Sequence, residues 1–397
     1  MARLTAEELA ELVPCPPHEI RRLEGLGIVA PDASDGTFEP SDALVVRLMS
    51  AFEDACISVD DVARGVASGA LSFPLGRFLP PPDATSVTYE ELAAELERPA
   101  QLLRRLISEL GFPPAEDDRL RVSDAEVLSL LVTRLDLADE QELSRFARLY
   151  GGTMQRLVAS ALQFFDRVVR ERVATLDLSD EEKDALVYSK AAGFTELAST
   201  LVPWLQRRHR EHAVLEYLVE VTEGFMEERG ITPRQPRQPP AIAFLDLTGY
   251  TSLAEERGDV AAAETAADLA SVVQDAARAN GGRAVKWLGD GVMFHFTDPG
   301  RAVLGCLELV ERTEHVLSLP ARIGVNAGAV VAQEGDYFGR TVNIAARITD
   351  YARPHEVLAS DDARQTSRSP EVAFELVGDV PLKGVAHSVR LHRAVRA

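Results

Sequence analysis

The stretch AIAFLDLTGYTSLAEE, residues 241–256, contains the change from strand to helix that decides the fold of the C-terminal part. Residues 241–245 are apolar and predict a buried strand. Asp246 ends that strand, and residues 247–251 turn into a helix for which Ser252 and Glu255 have capping-box spacing. A carboxylate beside a helix N-terminus can hold a cation where free N–H groups meet phosphate oxygens. Taken alone, Asp246 could equally well cap a turn.

A β-hairpin is predicted by GGRAVKWLGDGVMFHF, residues 281–296. Residues 283–288 and 292–296 have the composition of strands, and Gly289-Asp290-Gly291 between them is a hairpin turn signal. Without further context, Asp290 is an ordinary turn residue and Lys286 is an exposed lysine on a strand.

The third informative segment is ARIGVNAGAVVAQEGDYFGRTVNIAARITDYARP, residues 321–354. Strands are predicted over 322–325 and 329–332, Asp336 on the loop that follows, and a helix from about residue 341 to residue 351. Asn343 and Arg347 are four residues apart, so both project from one face of that helix. Arg347 could be a surface residue, but its apolar neighbours favour an arginine that points into a site.

Together these segments resemble the class III adenylate/guanylate cyclases, of the soluble actinobacterial type with a helical N-terminal regulatory half. The family pattern is a first metal Asp in D-x-x-G-F/Y-T, a Lys four residues before a second metal Asp, and R-x-G-x-x-x-G. An Asp seven residues before an Asn follows, and an Arg stands four residues after the Asn. The matching residues are Asp246, Lys286, Asp290, Arg322, Gly324, Gly328, Asp336, Asn343 and Arg347. Tyr250 stands where Phe is commoner, a mild departure.

The resemblance implies an adenylate cyclase that converts ATP to 3′,5′-cyclic AMP and pyrophosphate in an α+β, ferredoxin-like domain. The implied metal ligands, for two Mg²⁺ or Mn²⁺ ions per site, are Asp246, Leu247 and Asp290. Asn343 would orient the ribose, and Arg347 would stabilise charge on the α-phosphate. Lys286 and Asp336 would recognise adenine, and Lys383 would contact phosphate, although an exposed hairpin lysine is as good an interpretation of that residue.

The same resemblance implies how the chain assembles. In this family the two metal-binding Asp residues of one subunit face the Lys, Asp, Asn and Arg of the other. A chain that carries all six is therefore expected to form a symmetric homodimer with two shared sites.

The part before residue 232 is helical in pattern and contains a diverged repeat. LTAEELAELVPCPPHEIRRLEGLGIVAP, from Leu4, parallels VTYEELAAELERPAQLLRRLISELGFPP, from Val87, and each copy predicts a helix, a short turn and a second helix. The first copy also resembles the start of MerR-type proteins. We expect a MerR-like unit over 1–80, a second such unit and a helical regulatory region over 81–230, a Pro-rich linker over 231–240 and the cyclase domain over 241–397.

Charge and composition restrict the partners. The net charge of the chain is -21, which disfavours nucleic acid and anionic membrane surfaces. Residues 1–80 hold six Lys/Arg and thirteen Asp/Glu, so we do not expect the first unit to bind DNA. The three cysteines are far apart, the N-terminus is unlike a signal peptide, and a membrane span is not expected, so we predict a cytoplasmic protein.

Two alternatives stay open on the sequence. One is a catalytically silent, cyclase-like module for nucleotide binding or dimerisation, although such modules usually lose a metal Asp or the Arg. The other is a nucleotide-responsive transcription regulator built on the N-terminal unit.

Overall fold

Helices dominate the first half of the chain and alternate with strands in the second half. The computed structural model describes residues 3–13, 15–83, 85–114, 118–232 and 238–397. The chain divides into two compact units, Met1–Thr222 and Glu223–Ala397. A helical N-terminal region followed by an α/β domain was predicted, and this is confirmed.

The helices, in chain order, are α1 (Ala6–Leu12), α2 (Pro17–Gly25), α3 (Asp42–Asp54), α4 (Val59–Ala67), α5 (Tyr89–Glu95), α6 (Ala100–Glu109), α7 (Val122–Arg134), α8 (Glu140–Phe165), α9 (Glu171–Ala174), α10 (Asp180–Glu228), α11 (Tyr250–Ala279), α12 (Pro299–Leu317), α13 (Arg340–Tyr351) and α14 (Asp361–Thr366). The strands are β1 (Thr85–Thr88), β2 (Arg119–Arg121), β3 (Ala241–Leu247), β4 (Gly282–Leu288), β5 (Gly291–Phe296), β6 (Ala321–Ala327), β7 (Val331–Gln333), β8 (Asp336–Phe338), β9 (Val357–Ser360), β10 (Val372–Val380) and β11 (Val389–Arg396).

The sequence repeat recurs in the helix caps of the first unit. Thr5 caps α1 and forms a capping box with Glu8. Thr88 caps α5 and forms the same box with Glu91, at an offset of 83 residues. Each box satisfies two backbone donors at a helix N-terminus, so the start of each repeated pair is specified locally.

The second helix of each pair bonds back to the first through an arginine. Arg21 of α2 donates to Glu7 at 2.7 Å, and Arg104 of α6 donates to Glu90 at 2.8 Å. These guanidinium groups are neutralised within their own helix pair, whereas a DNA-reading helix directs such groups at phosphates. The assignment of these pairs to the helix-turn-helix class remains a prediction.

A purely helical N-terminal region was expected, and this is wrong in one respect. β1 and β2 form an antiparallel ladder that joins Thr85 to Arg121 and Thr88 to Arg119. In the first repeat, Leu4 and Phe38 form an isolated antiparallel bridge. The extended segments between the helices pair with each other because their backbone groups need partners when packed against a core.

The predicted chain break near residues 176–180 is present, since α9 ends at Ala174 and α10 begins at Asp180. The predicted break at Pro203 is wrong, because this residue lies inside α10, which is 49 residues long. A proline removes one backbone donor and strains the preceding turn, but helical turns on both sides can carry it. Part of the predicted linker, residues 233–237, lies outside the described residues.

The second unit is built on a seven-stranded mixed sheet in the order β10-β11-β9-β6-β3-β5-β4. Only the β6–β9 pair is parallel among the ladders of this sheet in the described part of the chain. The four strands β6-β3-β5-β4 come from the chain order β3-α11-β4-β5-α12-β6. β7 and β8 form a separate two-stranded ladder.

Different helices and strands pack on the two faces of this sheet. Alternate residues of the central strands pack with α11 and α12 in the larger core, which contains Ala243, Leu245 and Phe294. The intervening residues, such as Phe244 and Met293, pack with α13 and β8 in a smaller core. Because side chains alternate along a strand, the residues between the large-core positions all face α13 and the β7–β8 ladder.

The start of α11 corrects one expectation. The helix begins at Tyr250, its N-cap is Gly249 with φ 88°, and no side chain caps it. Ser252 and Glu255 therefore lie inside the first turns and form no capping box. Gly249 adopts a left-handed conformation that allows the chain to turn sharply from β3 into the helix.

Candidate active site

The candidate site lies on the α13 face of the sheet, at the ends of β3, β5 and β6. Asp246 stands opposite Gly291 on β5 and opposite Arg322 on β6. Asp290 immediately precedes Gly291 in the β4–β5 turn, where Gly289 has φ 68°. The predicted hairpin is thus present, and its register brings the two candidate metal-binding carboxylates to the same end of the sheet.

Arg322 holds one of these carboxylates. Its Nε and Nη2 donate to the same oxygen of Asp246, Oδ2, at 2.8 and 2.6 Å. Its Nη1 donates to the carbonyl of Asp350 at 3.3 Å, near the end of α13. Neither of the two bonds from Arg322 to this side chain goes to Oδ1, the other carboxylate oxygen of Asp246. Oδ1 therefore remains available to a ligand.

The surroundings of Asp290 disfavour the charged form of its carboxylate. Burial raises the pKa of Asp290, and the negative charge of Asp246 raises it further. A cation between the two carboxylates would relieve that repulsion.

These residues fit a divalent metal ion. Carboxylate oxygens are the ligands that Mg²⁺ and Mn²⁺ prefer, and Mg²⁺ is commonly held by one or two carboxylates together with substrate phosphates. Among the described residues there is no group of three His, Cys, Asp or Glu side chains that could hold a metal by itself. A site of two carboxylates completed by phosphate oxygens agrees with that observation. The side chain of Leu247 is buried, so only its backbone could take part.

The structure also brings Lys286 and Asp336 together. Lys286 projects from β4, and its Nζ lies 2.5 Å from Oδ2 of Asp336. Asp336 was expected on a loop, but it is the first residue of β8, after a tight turn at Glu334 and Gly335 with φ 54° and 79°. The pair places a cationic donor beside an anionic acceptor, and both side chains keep hydrogen-bonding capacity for a ligand.

Asn343 and Arg347 occupy the exposed face of α13. The opposite face is buried, with Ile344, Ala345 and Ile348 in the cores. The Nη1 of Arg347 donates to Asp350 at 2.7 Å, on the same helix. Among the described residues, no side chain from another element takes part in this ion pair. Within one chain, therefore, the arginine faces outward.

Gly324 explains how closely α13 approaches the sheet. A Cβ at this position would lie 2.3 Å from the backbone nitrogen of Thr349 and 2.7 Å from the carbonyl oxygen of Ala345. Only glycine leaves room for the helix backbone here. The family spacing R-x-G thus has a steric reason in this chain.

The structure does not bring Lys383 to the other candidates. It is exposed in the turn between β10 and β11. Three residues without a predicted role do join the site: Arg283, His295 and Tyr337. Arg283 and His295 are cross-strand neighbours, and the ring of His295 stacks on Tyr337. Alternation along β5 could have placed His295 on this side of the sheet, but Arg283 shares the side of Lys286 only through the β-bulge between Ala284 and Lys286. Nothing local in the sequence ties either residue to Tyr337.

The candidate site residues lie inside the part of the chain that matches a known family. Residues 232–393 match the family described as the adenylate and guanylate cyclase catalytic domain. An uncharacterised protein of Mycobacterium tuberculosis is 27% identical over 340 residues, which cover 85% of this chain and 86% of that protein.

A pH-sensitive adenylate cyclase of the same species is 27% identical over 330 residues, or 79% of each chain. The crystal structure of an adenylyl cyclase from P. aeruginosa matches with a TM-score of 0.37 and 22% identity, over 41% of this chain and 96% of that one. Among the described residues, no helix combines the length and the apolar character that crossing a bilayer requires.

The chain thus carries a catalytic domain of the adenylate and guanylate cyclase family over residues 232–393, and it is an enzyme of the adenylate cyclase class.

Proposed function

We propose that the protein converts ATP to 3′,5′-cyclic AMP and pyrophosphate at two equivalent sites shared by a cytoplasmic homodimer. The observation that carries this proposal is the pair of Lys286 and Asp336, 2.5 Å apart on the same sheet face as Asp246. We assign the order β3-α11-β4-β5-α12-β6 to the predicted ferredoxin-like core.

Base selection follows from the chemistry of that pair. The lysine donates to N1 of adenine, and the carboxylate accepts from the 6-amino group. Guanine presents a donor at N1 and an acceptor at position 6, so it meets the wrong partner at both atoms. Mismatched buried polar groups cost far more than a lost contact, so ATP is preferred over GTP.

The reacting end of the nucleotide lies at Asp246 and Asp290. These carboxylates would hold Mg²⁺ or Mn²⁺, with the backbone of Leu247 beside them. The bound metal would lower the pKa of the ribose 3′-hydroxyl and offset phosphate charge. Arg322 makes both of its bonds to Oδ2 of Asp246, which leaves Oδ1 for the ligand.

Each site would combine the metal-binding carboxylates of one subunit with four residues of the other, namely Lys286, Asp336, Asn343 and Arg347. Asn343 orients the ribose, and Arg347 stabilises the charge that builds on the α-phosphate as its bond to pyrophosphate breaks. Their exposure on α13 supports this assignment, since a side chain that serves a neighbouring subunit must face out of its own. Lys383, in an exposed turn, is assigned a phosphate contact.

The proposal is tested by turnover of the full-length protein with ATP and GTP, each with Mg²⁺ and with Mn²⁺. We expect cyclic AMP with either metal and a much lower kcat/KM for GTP. No product from ATP under any of these conditions would leave the silent nucleotide-binding module as the better description.

Shared sites are tested by mixing inactive variants. Asp246→Ala and Arg347→Ala damage opposite halves of the site, so random heterodimers keep one intact site, and roughly a quarter of wild-type activity should return. The matched control is Asp246→Ala mixed with Asp290→Ala. Both changes damage the same half, so this mixture should stay inactive. Equal recovery in the two mixtures, or none in the first, would exclude the shared-site arrangement.

The N-terminal half is assigned a regulatory role, with a division near residue 80 between its two repeated units. The test compares the rate of the full chain with that of residues 240–397 across a range of pH. We expect different rates or pH profiles. Equal rates at every pH would remove the regulatory role and leave the catalytic proposal intact.

A further inference from the structure

The position of Asp336 depends on its neighbour Tyr337. The backbone N–H of Tyr337 donates to Oδ1 of Asp336 at 2.7 Å, while Oδ2 faces Lys286. Tyr337 is only 7% exposed, although it belongs to a three-residue strand of a small ladder. Two short strands are marginally stable on their own, so contacts to the main sheet must hold this ladder in place.

Those contacts are made by two side chains of β4 and β5. The ring of His295 lies parallel to the ring of Tyr337, with centroids 4.3 Å apart and an interplanar angle of 7°. The guanidinium of Arg283 donates to the Tyr337 hydroxyl and lies 5.4 Å from the ring centroid. Arg283 and His295 are directly paired across β4 and β5.

The charge states favour this arrangement. Burial, and then the positive charge of Arg283, lower the pKa of His295 to about 4. At neutral pH the imidazole is therefore uncharged and can stack on the tyrosine beside a cation without repulsion.

Lys286 and Asp336, the pair proposed to recognise the base, thus both depend on β4 and β5 for their positions. Lys286 projects from β4, three residues after Arg283, on the side of the sheet that carries His295. Asp336 is attached to that side through Tyr337. A shift of the ladder would separate Asp336 from Lys286 and leave the metal-binding carboxylates unchanged.

We propose that the stack of Arg283, Tyr337 and His295 is a positioning device that sets base selectivity by holding Asp336 against Lys286. This inference rests on the proposed function, because it concerns how the same site distinguishes a 6-amino purine from a 6-oxo purine. The three residues act through Asp336 and do not touch the reacting atoms.

The test uses His295→Leu and Tyr337→Leu in the full-length protein, with the exposed His315→Leu on α12 as the matched control. We expect the KM for ATP to rise about tenfold, with kcat within about twofold of wild type, because only recognition of the base is loosened. The ratio of kcat/KM for ATP to that for GTP should fall about tenfold. The control should match wild type, and Tyr337→Phe, which keeps the stack but loses the hydroxyl, should be intermediate.

An unchanged ATP/GTP ratio in both leucine variants would overturn the proposal, as would a fall in kcat with KM unaltered. A binding measurement separates positioning from a general folding defect. Calorimetry with 3′-deoxy-ATP and 3′-deoxy-GTP should show that the variants lose affinity for the adenine analogue and keep affinity for the guanine analogue.

Equal loss of both analogues would also overturn the proposal. The same calorimetry distinguishes a failure of this proposal from a failure of the proposed function. If wild-type protein makes no cyclic AMP, the proposed function fails, while selective loss of the adenine analogue would still establish the stack as a selectivity device.

Discussion

Arg322 illustrates how one side chain connects two parts of the candidate site. It contacts Asp246 on the neighbouring strand and the carbonyl of Asp350 near the end of α13. Charge-assisted bonds of this kind are worth more than neutral ones and also fix orientation. The residue was part of the quoted family pattern, but its spacing alone did not assign it a task.

Replacing Arg322 by Ala should therefore reduce kcat/KM by about 10- to 100-fold, since each lost bond to a charged group is worth roughly 1.5–3 kcal/mol before relaxation. The metal concentration that gives half-maximal activity should rise with it. The control is Arg301→Ala, an exposed arginine on α12. A metal requirement equal to that of wild type would show that Arg322 does not orient the carboxylate.

His295 provides a second prediction at this scale, for stability. Its pKa is lowered to about 4 in the folded chain, against about 6.5 when unfolded. Below pH 6.5 the unfolded chain takes up a proton that the folded chain does not, so stability falls as the pH drops toward 4. Between pH 7 and pH 5 the loss should be about 2 kcal/mol.

The His295→Gln variant lacks that titration. Hydrogen exchange of the β3 and β5 amides, measured at both pH values, should show a loss of protection in wild type that exceeds the loss in the variant. The same pH dependence in both proteins would contradict the assigned pKa.

At the scale of elements, the packing of α13 on β3 and β6 depends on the absence of a side chain. Asn343 and Arg347 are held at a fixed distance from the sheet only if the backbone of α13 packs directly on the strands. Gly324 provides the space for that close approach. Thr349 adds a side-chain bond from α13 to the carbonyl of Phe244 on β3 at 3.1 Å.

Gly324→Ala should destabilise the second unit by about 1–3 kcal/mol, because the new methyl group meets backbone atoms that cannot rotate away. Cyclase activity should fall as α13 is displaced. Gly193→Ala is the matched control, since a Cβ there meets nothing within 4 Å inside α10. It should be neutral or slightly stabilising. Thermal unfolding of both variants measures the difference, and equal effects would show that the close approach is not required.

At the scale of the whole molecule, we expect the proposed homodimer to use a contact along α10. Leu197, Leu201 and Trp204 are exposed and follow the 4-3 spacing of a coiled-coil seam. Arg208 and Glu211 continue the same spacing and pair with each other at 3.0 Å. The exposed Leu215 and Leu218 resume the apolar series.

We expect Leu215→Glu to weaken the homodimer at least tenfold, because it places a charge in an apolar seam. Tyr217→Glu is the control, since Tyr217 is 63% exposed but lies off the seam. Sedimentation velocity over a concentration series gives the dissociation constants. If the two variants dissociate equally, α10 does not form the contact.

The sequence by itself determined the features that depend on neighbours along the chain. The β3–α11 turn, the β4–β5 hairpin around Asp290 and the face shared by Asn343 and Arg347 were predicted because strand and helix periodicities and turn residues act over a few positions. The same local patterns failed at the start of α11, where Gly249 is the N-cap, and at Pro203, which the helical turns on both sides carry inside α10. Only the tertiary structure decided which side chains meet. Arg322 reaches Asp246 across 76 residues, Lys286 reaches Asp336 across 50, and Tyr337 lies on His295. These contacts depend on strand order and register, which bring together side chains that no local spacing relates.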